Sequence, residues 1–418
     1  VLWDEDRAVG VFEYTPEFSR SGIEVAPLTM PLRSGVYDFP ALNHDTFKGL
    51  PGMLADSLPD KFGNALINRW LAEQGRTTDS FDPVERLCYT GRRGMGALEF
   101  EPSTGERREK GGPVDIAPLV ELANRVLAAR EELTGALKGD DDHHALQEIL
   151  RVGTSAGGAR AKAVLAWNEE TGQFHSGQLT AGPGYTQWLV KFDGVSGNAD
   201  KELADPMGFG RLEYACYLLA KEAGVTMARS RLHEEGGRAH FMTQRFDRTA
   251  DGKKLHMQSL CAMRHFDFNQ AKAYSYEQAI ESIRMLGLGR DAIREQVRRA
   301  LLNVFIRNQD DHTKNIAFLM DSSGRWSLSP AFDVVYAYNP DGDWTNEHQM
   351  SLAGKTDGFE IKDLLEFGRF ADLKTSEIKS IIEKIRTAVA NWNKHCETAG
   401  VPDGMASKAK RGFRSILL

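Results

Sequence analysis

The sequence predicts an α+β chain built as two lobes. A mixed α/β amino-terminal lobe carries an extra leading subdomain, and an all-α carboxy-terminal lobe comes after it. Three observations predict this. The chain has 418 residues, more than one small module needs and enough for two or three packed units. Short strand-like runs recur up to about residue 245, one of them ended by Asp193-Gly194. Beyond about residue 250, apolar residues repeat mainly at helical spacing.

The elements come in order. Val9 to Tyr14 alternates as a strand, and Asp56-Ser57-Leu58-Pro59-Asp60 is a helix-start turn before a helical pattern over Lys61 to Leu71. The polar stretches Glu101 to Gly112 and Lys138 to His144 read as surface joints. His143 and His144 beside three aspartates invite a metal reading, but a solvated loop accounts for them. Val152 to Lys162 is glycine-rich and precedes a short strand over Ala163 to Trp167. Gln187 to Phe192 and Ala239 to Phe246 are further strands. Between them Leu212, Ala215, Cys216, Leu219 and Ala223 form a helical stripe that Gly224 is placed to end. Val297, Leu301, Val304 and Phe305 mark one later helix. Ile378, Ile381, Ile382, Ile385, Val389 and Trp392 mark another. Between them Ile316–Met320 and Trp326–Leu328 flank the turn Asp321-Ser322-Ser323-Gly324 as a hairpin.

Composition narrows the function. Lys plus Arg total 52 against 59 Asp plus Glu, a formal net charge of −7, which argues against a whole-chain grip on nucleic acid. Cys88, Cys216, Cys261 and Cys396 lie far apart with no CxxC pair, which fits a reducing, cytoplasmic setting rather than a zinc ribbon. No apolar run approaches the roughly 18 residues of a membrane span, and the first residues lack a signal-peptide layout. The basic tail Lys408 to Arg414 reads as a frayed surface end.

The strongest chemical signal is Asn308-Gln309-Asp310-Asp311-His312-Thr313-Lys314-Asn315, placed after a helix and before the hairpin. At the far end of the hairpin lies Ser329-Pro330-Ala331-Phe332-Asp333. Phosphoryl transfer needs a carboxylate to orient the attacking hydroxyl, and an amide oxygen with a second carboxylate to hold Mg²⁺ on the phosphates. Asp310 and Asn315 have the spacing of the Asp and Asn in a protein-kinase catalytic loop. Upstream, Lys191 stands among apolar strand residues where a kinase lysine meets phosphates, and Glu213 on the next helix is its candidate ion-pair partner. Ser155-Ala156-Gly157-Gly158 stands where a phosphate-covering loop belongs, although it matches neither GxGxxG nor the Walker pattern. Thr154 and Ser155 there are phosphorylatable hydroxyls. Together these residues predict a bilobed, protein-kinase-like fold.

The chain resembles the HipA family, the serine/threonine kinase toxins of bacterial toxin–antitoxin modules. The resemblance rests on Gly52 to Asp60, Ser155 to Lys162, Gln244-Arg245-Phe246-Asp247-Arg248, Asp310 to Asn315 and Ser329 to Asp333, in that order. It implies a family amino-terminal subdomain over 1–105, an α/β region with the phosphate loop over 106–245, and a helical lobe over 246–418, with ATP and Mg²⁺ in the cleft. It further implies Asp310 as catalytic base and Asn315 and Asp333 as Mg²⁺ ligands. Ser155 to Gly158, Lys191, His312 and Lys314 fall in the nucleotide site. The hinge is Gln244, Arg245 and Phe246, with backbone near the latter two at the adenine. Ser155 becomes the autophosphorylated residue, with Thr154 as competitor. The implied targets are translation components such as glutamyl-tRNA synthetase, whose phosphorylation arrests growth and gives persistence. The implied partner is a HipB-type helix-turn-helix antitoxin through which operator DNA is mostly contacted. A small-molecule kinase and a non-catalytic corepressor are the alternatives.

Overall fold

A computed structural model of the chain describes residues 1–104, 114–128, 160–177, 182–195, 199–200, 203–204 and 206–414. It forms two compact units that interleave along the sequence. The first comprises residues 1–19, 33–210 and 230–257, and the second residues 20–32, 211–229 and 258–418.

The first unit begins with a three-stranded sheet, β1 (Leu2–Asp4), β2 (Val9–Glu13) and β3 (Val36–Tyr37), in the order β1-β2-β3. Its other sheet has five strands: β4 (Lys162–Asn168), β5 (Phe174–Ser176), β6 (Tyr185–Lys191), β9 (Ser230–Glu235) and β10 (Arg238–Gln244). Between them in sequence lies a minimal antiparallel pair, β7 (Ala199–Asp200) and β8 (Leu203–Ala204). The spatial order is β5-β4-β6-β10-β9, and neighbouring strands run antiparallel throughout. The covering helices are Lys61–Glu73 and Ile116–Ala128. Phe62, Leu66, Ile67 and Leu71 from the first, and Leu119, Val120 and Ala123 from the second, share one core with Leu165, Trp188, Val190 and Met242 of the sheet. The leading segment is thus part of the same hydrophobic body as the five-stranded sheet. The helix Lys61–Glu73 starts where the sequence places it, because Asp60 caps it, Oδ1 accepting from the Gly63 amide at 2.6 Å.

The second unit is framed by helices. Gly289–Ile306 carries the buried stripe Val297, Leu301, Val304 and Phe305. Thr375–Ala390 carries Ile378, Ile381, Ile382, Ile385 and Val389. The expected single stripe through Trp392 is two helices. The first ends at Asn391, and Trp392 opens a separate short helix, Trp392–Ala399, with its ring buried. The all-α expectation describes this framework, to which the hairpin adds β-structure. β13 (Ala317–Met320) and β14 (Trp326–Leu328) join β11 (His256–Ser259) in a three-stranded sheet, and β12 (Tyr274–Ser275) pairs in parallel with β15 (Met350–Ser351). Asp321 closes the hairpin turn with its Oδ1, which accepts from the amides of Ser323 (2.8 Å) and Arg325 (3.2 Å). Residues 20–32 complete this unit: the Trp326 indole donates to the Glu24 carbonyl at 3.0 Å, and the Gln258 amide donates to the Val25 carbonyl.

The carboxy-terminal tail departs from the frayed expectation. Lys408, Lys410 and Arg411 lie on the helix Asp403–Gly412, and Arg414 is buried. Its amide donates to the Phe305 carbonyl (3.0 Å), its Nε to the Val304 carbonyl (2.9 Å), and it pairs with Asp357. A buried guanidinium meeting carbonyls at the end of a long helix anchors rather than frays. The four cysteines are free thiols, and no helix among the described residues is long and apolar enough to cross a membrane.

Candidate functional site

The helix Gly289–Ile306 ends at Arg307, whose φ of 51° lets its amide close the last turn on Asn303. The chain then runs as Asn308 to His312 into a single 3₁₀ turn, Thr313–Asn315. This turn folds the loop back on itself: the Asn315 side-chain nitrogen donates to the Asp310 carbonyl at 2.8 Å. The five-residue spacing read from the sequence is therefore the span of one closed turn.

The segment that carries Asp333 is laced to this loop. The Gln309 amide donates to the Ala337 carbonyl and the Ala337 amide to the Arg307 carbonyl, each at 3.1 Å. The Asn308 side chain donates to the Asp333 carbonyl at 3.1 Å. Asp333 itself has a φ of 52°, a left-handed conformation that Asp adopts more readily than most non-glycine residues. The segment leading to it is held as well. Arg299 Nη2 donates to the Ser329 carbonyl (2.8 Å) while its Nε meets Glu295 (2.9 Å), and the Ala331 amide donates to the Thr226 carbonyl (2.8 Å). Burial lowers the Arg299 guanidinium's affinity for its proton, and Glu295 beside it works the other way.

Asp311 proves to be the anchor of the loop. It is buried, and its carboxylate accepts from the Tyr276 hydroxyl (2.6 Å), His348 Nδ1 (2.7 Å) and the Gln349 amide (2.8 Å). Burial, and then the charge of Asp311, push the Tyr276 phenol well above its ordinary range, so it stays a donor. Asp310, one residue earlier, is half-buried, and its Oδ1 accepts from the Trp344 indole at 2.6 Å; His312 Nε2 lies 3.9 Å from the same oxygen. The His312 and Lys314 side chains lie against Phe268, with ring centroids 5.3 Å apart and Nζ 4.7 Å from the ring. Tyr276, Trp344, His348 and Gln349 were not singled out by sequence reasoning. For the last three the one visible signal is the polar run Asp343 to Gln349 with Trp344 in it; Tyr276 carries none.

In the first unit Lys191 ends β6, with its Nζ 5.9 Å from the Phe241 ring centroid. The turn just beyond it is held firmly. Buried Asp193 accepts from the amides of Gly208 (2.9 Å) and Ala239 (3.2 Å), and its own amide donates to His240 Nδ1 (2.9 Å). Burial pulls His240 down to about 4, which keeps Nδ1 an acceptor at neutral pH. Glu213 lies on the helix Phe209–Glu222 and is buried in the second unit. Gln244 is the last residue of β10. The Arg245 amide donates to the Gln187 carbonyl at 2.8 Å. Its buried guanidinium holds Asp247 through Nε (2.9 Å) and Nη2 (2.7 Å). Asp247 also accepts from Arg248 (2.9 Å) and the Gly96 amide (2.7 Å), while both arginines reach the Gly94 carbonyl. The segment 244–248 is therefore clamped to the loop at Gly94 and Gly96. At the start of β4, buried Lys162 pairs with Asp60 at 3.1 Å. Thr154, Ser155, Ala156, Gly157, Gly158, His143 and His144 lie outside the described residues.

An α+β chain whose acid-rich loop is closed by an asparagine and laced to a left-handed aspartate has the organisation expected of a HipA-type, kinase-like protein. Family models agree: HipA N-terminal domain matches residues 1–101 and HipA-like C-terminal domain residues 154–392. The chain belongs to the HipA family. Among solved structures, it is similar to HipA in the Shewanella oneidensis MR-1 complex of HipA, HipB and operator DNA. The two are 17% identical, with a TM-score of 0.64, covering 100% of this chain and 92% of that one. A match to the Helicobacter pylori proinflammatory kinase CtkA covers 56% of this chain and 89% of that one at 12% identity, with a TM-score of 0.33, too low to bear on the fold.

Proposed function

We propose that this chain is a protein serine/threonine kinase and the toxin of a toxin–antitoxin pair, transferring the γ-phosphoryl group of ATP to a protein hydroxyl. The observation that carries the reading is the closed turn in which Asn315 holds the Asp310 carbonyl while Asn308 ties down the Asp333 backbone. It ties the backbones of two acids and the side chain of an amide into one framework, and positioning is most of what phosphoryl transfer asks of a protein. Asp310 would accept the substrate hydroxyl's proton. Asn315 and Asp333 would hold Mg²⁺, and their donor chemistry fits. Both offer hard oxygens, an amide carbonyl and a carboxylate. Mg²⁺ at a nucleotide site characteristically takes one or two carboxylates and completes its shell with water and phosphate. When bound, it would neutralise charge on the phosphates. Lys191 would meet those phosphates, with the loop at Ser155 to Gly158 covering them and Ser155 or Thr154 open to autophosphorylation. His312 and Lys314 would border the nucleotide, as would residues 244–246, where the engaged Arg245 amide leaves recognition to other backbone groups.

A translation component such as an aminoacyl-tRNA synthetase is the proposed target, and a HipB-like protein the proposed partner on operator DNA. The Shewanella protein was solved with HipB and operator DNA, and a net charge of −7 suits a chain that leaves the positive charge DNA requires to a partner. The test is phosphoproteomics after brief induction of the wild type and Asp310→Gln in cells. A synthetase phosphopeptide enriched only with the wild type is expected. Equal phosphorylation and equal growth arrest in the two would overturn the assignment.

A further inference from the structure

The segment Trp344 to Gln349 grips both acids of the loop. His348 Nδ1 and the Gln349 amide hold Asp311, and the Trp344 indole holds Asp310 Oδ1 at 2.6 Å. The segment is braced from within, since the Gln349 side chain donates back to the carbonyls of Trp344 and Glu347, the latter at 3.2 Å. Its far end continues into β15, which pairs with β12. The two anchoring bonds to Asp311 are buried, so the strap is seated on the acid beside the reacting one and presents Trp344 to its neighbour.

From this geometry we infer that Trp344 is a positioning residue for phosphoryl transfer, its indole N–H fixing the carboxylate of Asp310 in the orientation that receives the substrate hydroxyl. The inference rests on the proposed kinase reading. The chemistry favours an indole here. A charged donor at the same oxygen would compete with the proton the base must accept, whereas a neutral N–H orients the carboxylate and stays protonated throughout. The ring also lies beside His312, 6.5 Å between centroids, so its tilt is set by packing as well as by the bond.

The direct test reads the bond without activity. In a ¹H–¹⁵N spectrum of the full-length protein, the indole signal missing from Trp344→Phe is assigned to Trp344. It should lie downfield of the other tryptophan indoles and move upfield in Asp310→Asn. A Trp344 signal unmoved by Asp310→Asn would overturn the proposal. Kinetically, Trp344→Phe keeps a ring but loses the donor. Its kcat should fall roughly 10- to 100-fold, the scale of a misplaced catalytic group, with KM for ATP unchanged. Wild-type kcat in Trp344→Phe would also overturn it. Should that variant fail to fold, shown by loss of the wild-type melting transition, Trp344→Gln supplies a neutral N–H donor and should keep part of the wild-type rate, whereas Trp344→Leu, which supplies none, should not. Asp310→Gln in the same assay separates the two readings. If it keeps full activity, the catalytic assignment fails, whatever the indole signal reports about the bond.

Discussion

Removing the Asp247 carboxylate should unfold the first unit at a markedly lower temperature. Its side chain is fully buried, and it is the common acceptor for Arg245, Arg248 and the Gly96 amide. Burial alone would raise its carboxyl, but Arg245, then Arg248 and the amide, hold it below the usual carboxylate range. Asp247→Ala leaves the Arg245 guanidinium, 1% exposed, without its counter-charge. Stranding one member of a buried pair costs about 3–5 kcal/mol. At ~2–4 °C per kcal/mol for a unit of this size, calorimetry should show Tm falling by roughly 6–20 °C. The pH dependence has a definite sign. A depressed carboxylate pKa contributes stability above the unfolded-state value and loses it on acidification, so the gap between wild type and variant should narrow below about pH 4. A Tm within about 2 °C of wild type at neutral pH would refute the reasoning, since so small a change is what a solvated surface pair gives.

Other perturbations act through contacts of the same kind. Asp311→Ala removes the acceptor of Tyr276, His348 and Gln349; phosphotransfer should drop by roughly 100-fold or more with a lowered Tm, measured by labelled ATP and thermal melting. Lys162→Met breaks the buried pair with Asp60 and should destabilise by about 3–5 kcal/mol in urea unfolding. Gly210→Ala would drive a Cβ into the Ala239 carbonyl oxygen, so a lower Tm is expected with no change in the spectrum of the unfolded chain. His240, held near 4 by burial, stays neutral in the folded state while the unfolded chain takes up protons below about pH 6.5. Stability should therefore decline from pH 6.5 toward 4, and His240→Asn, which keeps an acceptor for the Asp193 amide, should flatten that decline.

Local chemistry made part of this molecule legible. Asp60 before Lys61, Gly224 after a helical stripe and the Asp321–Gly324 turn are short-range devices, and each acts where the sequence places it. The Asp310–Asn315 spacing was readable because both ends of the turn lie in one short stretch. The groups that hold that turn in place were not readable. Tyr276 and His348 reach Asp311 from 35 and 37 residues away, and Trp344 reaches Asp310 from 34, distances at which no periodicity links partners. Trp392 shows the limit of periodicity itself. Two successive helices can continue one apolar stripe across a break at Asn391, because the core constrains the direction of side chains, not the continuity of the backbone.

Residues 20–32 leave the ribosome long before the structure they complete exists. The Glu24 carbonyl meets the Trp326 indole 302 positions later. At synthesis rates of about 5–20 residues per second, this segment waits roughly 15–60 s for its partner. Along the chain the segment interrupts the first unit between residues 19 and 33. A clone beginning at residue 258, or any truncation that treats the second unit as a carboxy-terminal piece, would leave the Trp326 and Gln258 donors without the carbonyls they bind. Fragments for separate study need residues 20–32 and 211–229 supplied, by circular permutation or in trans.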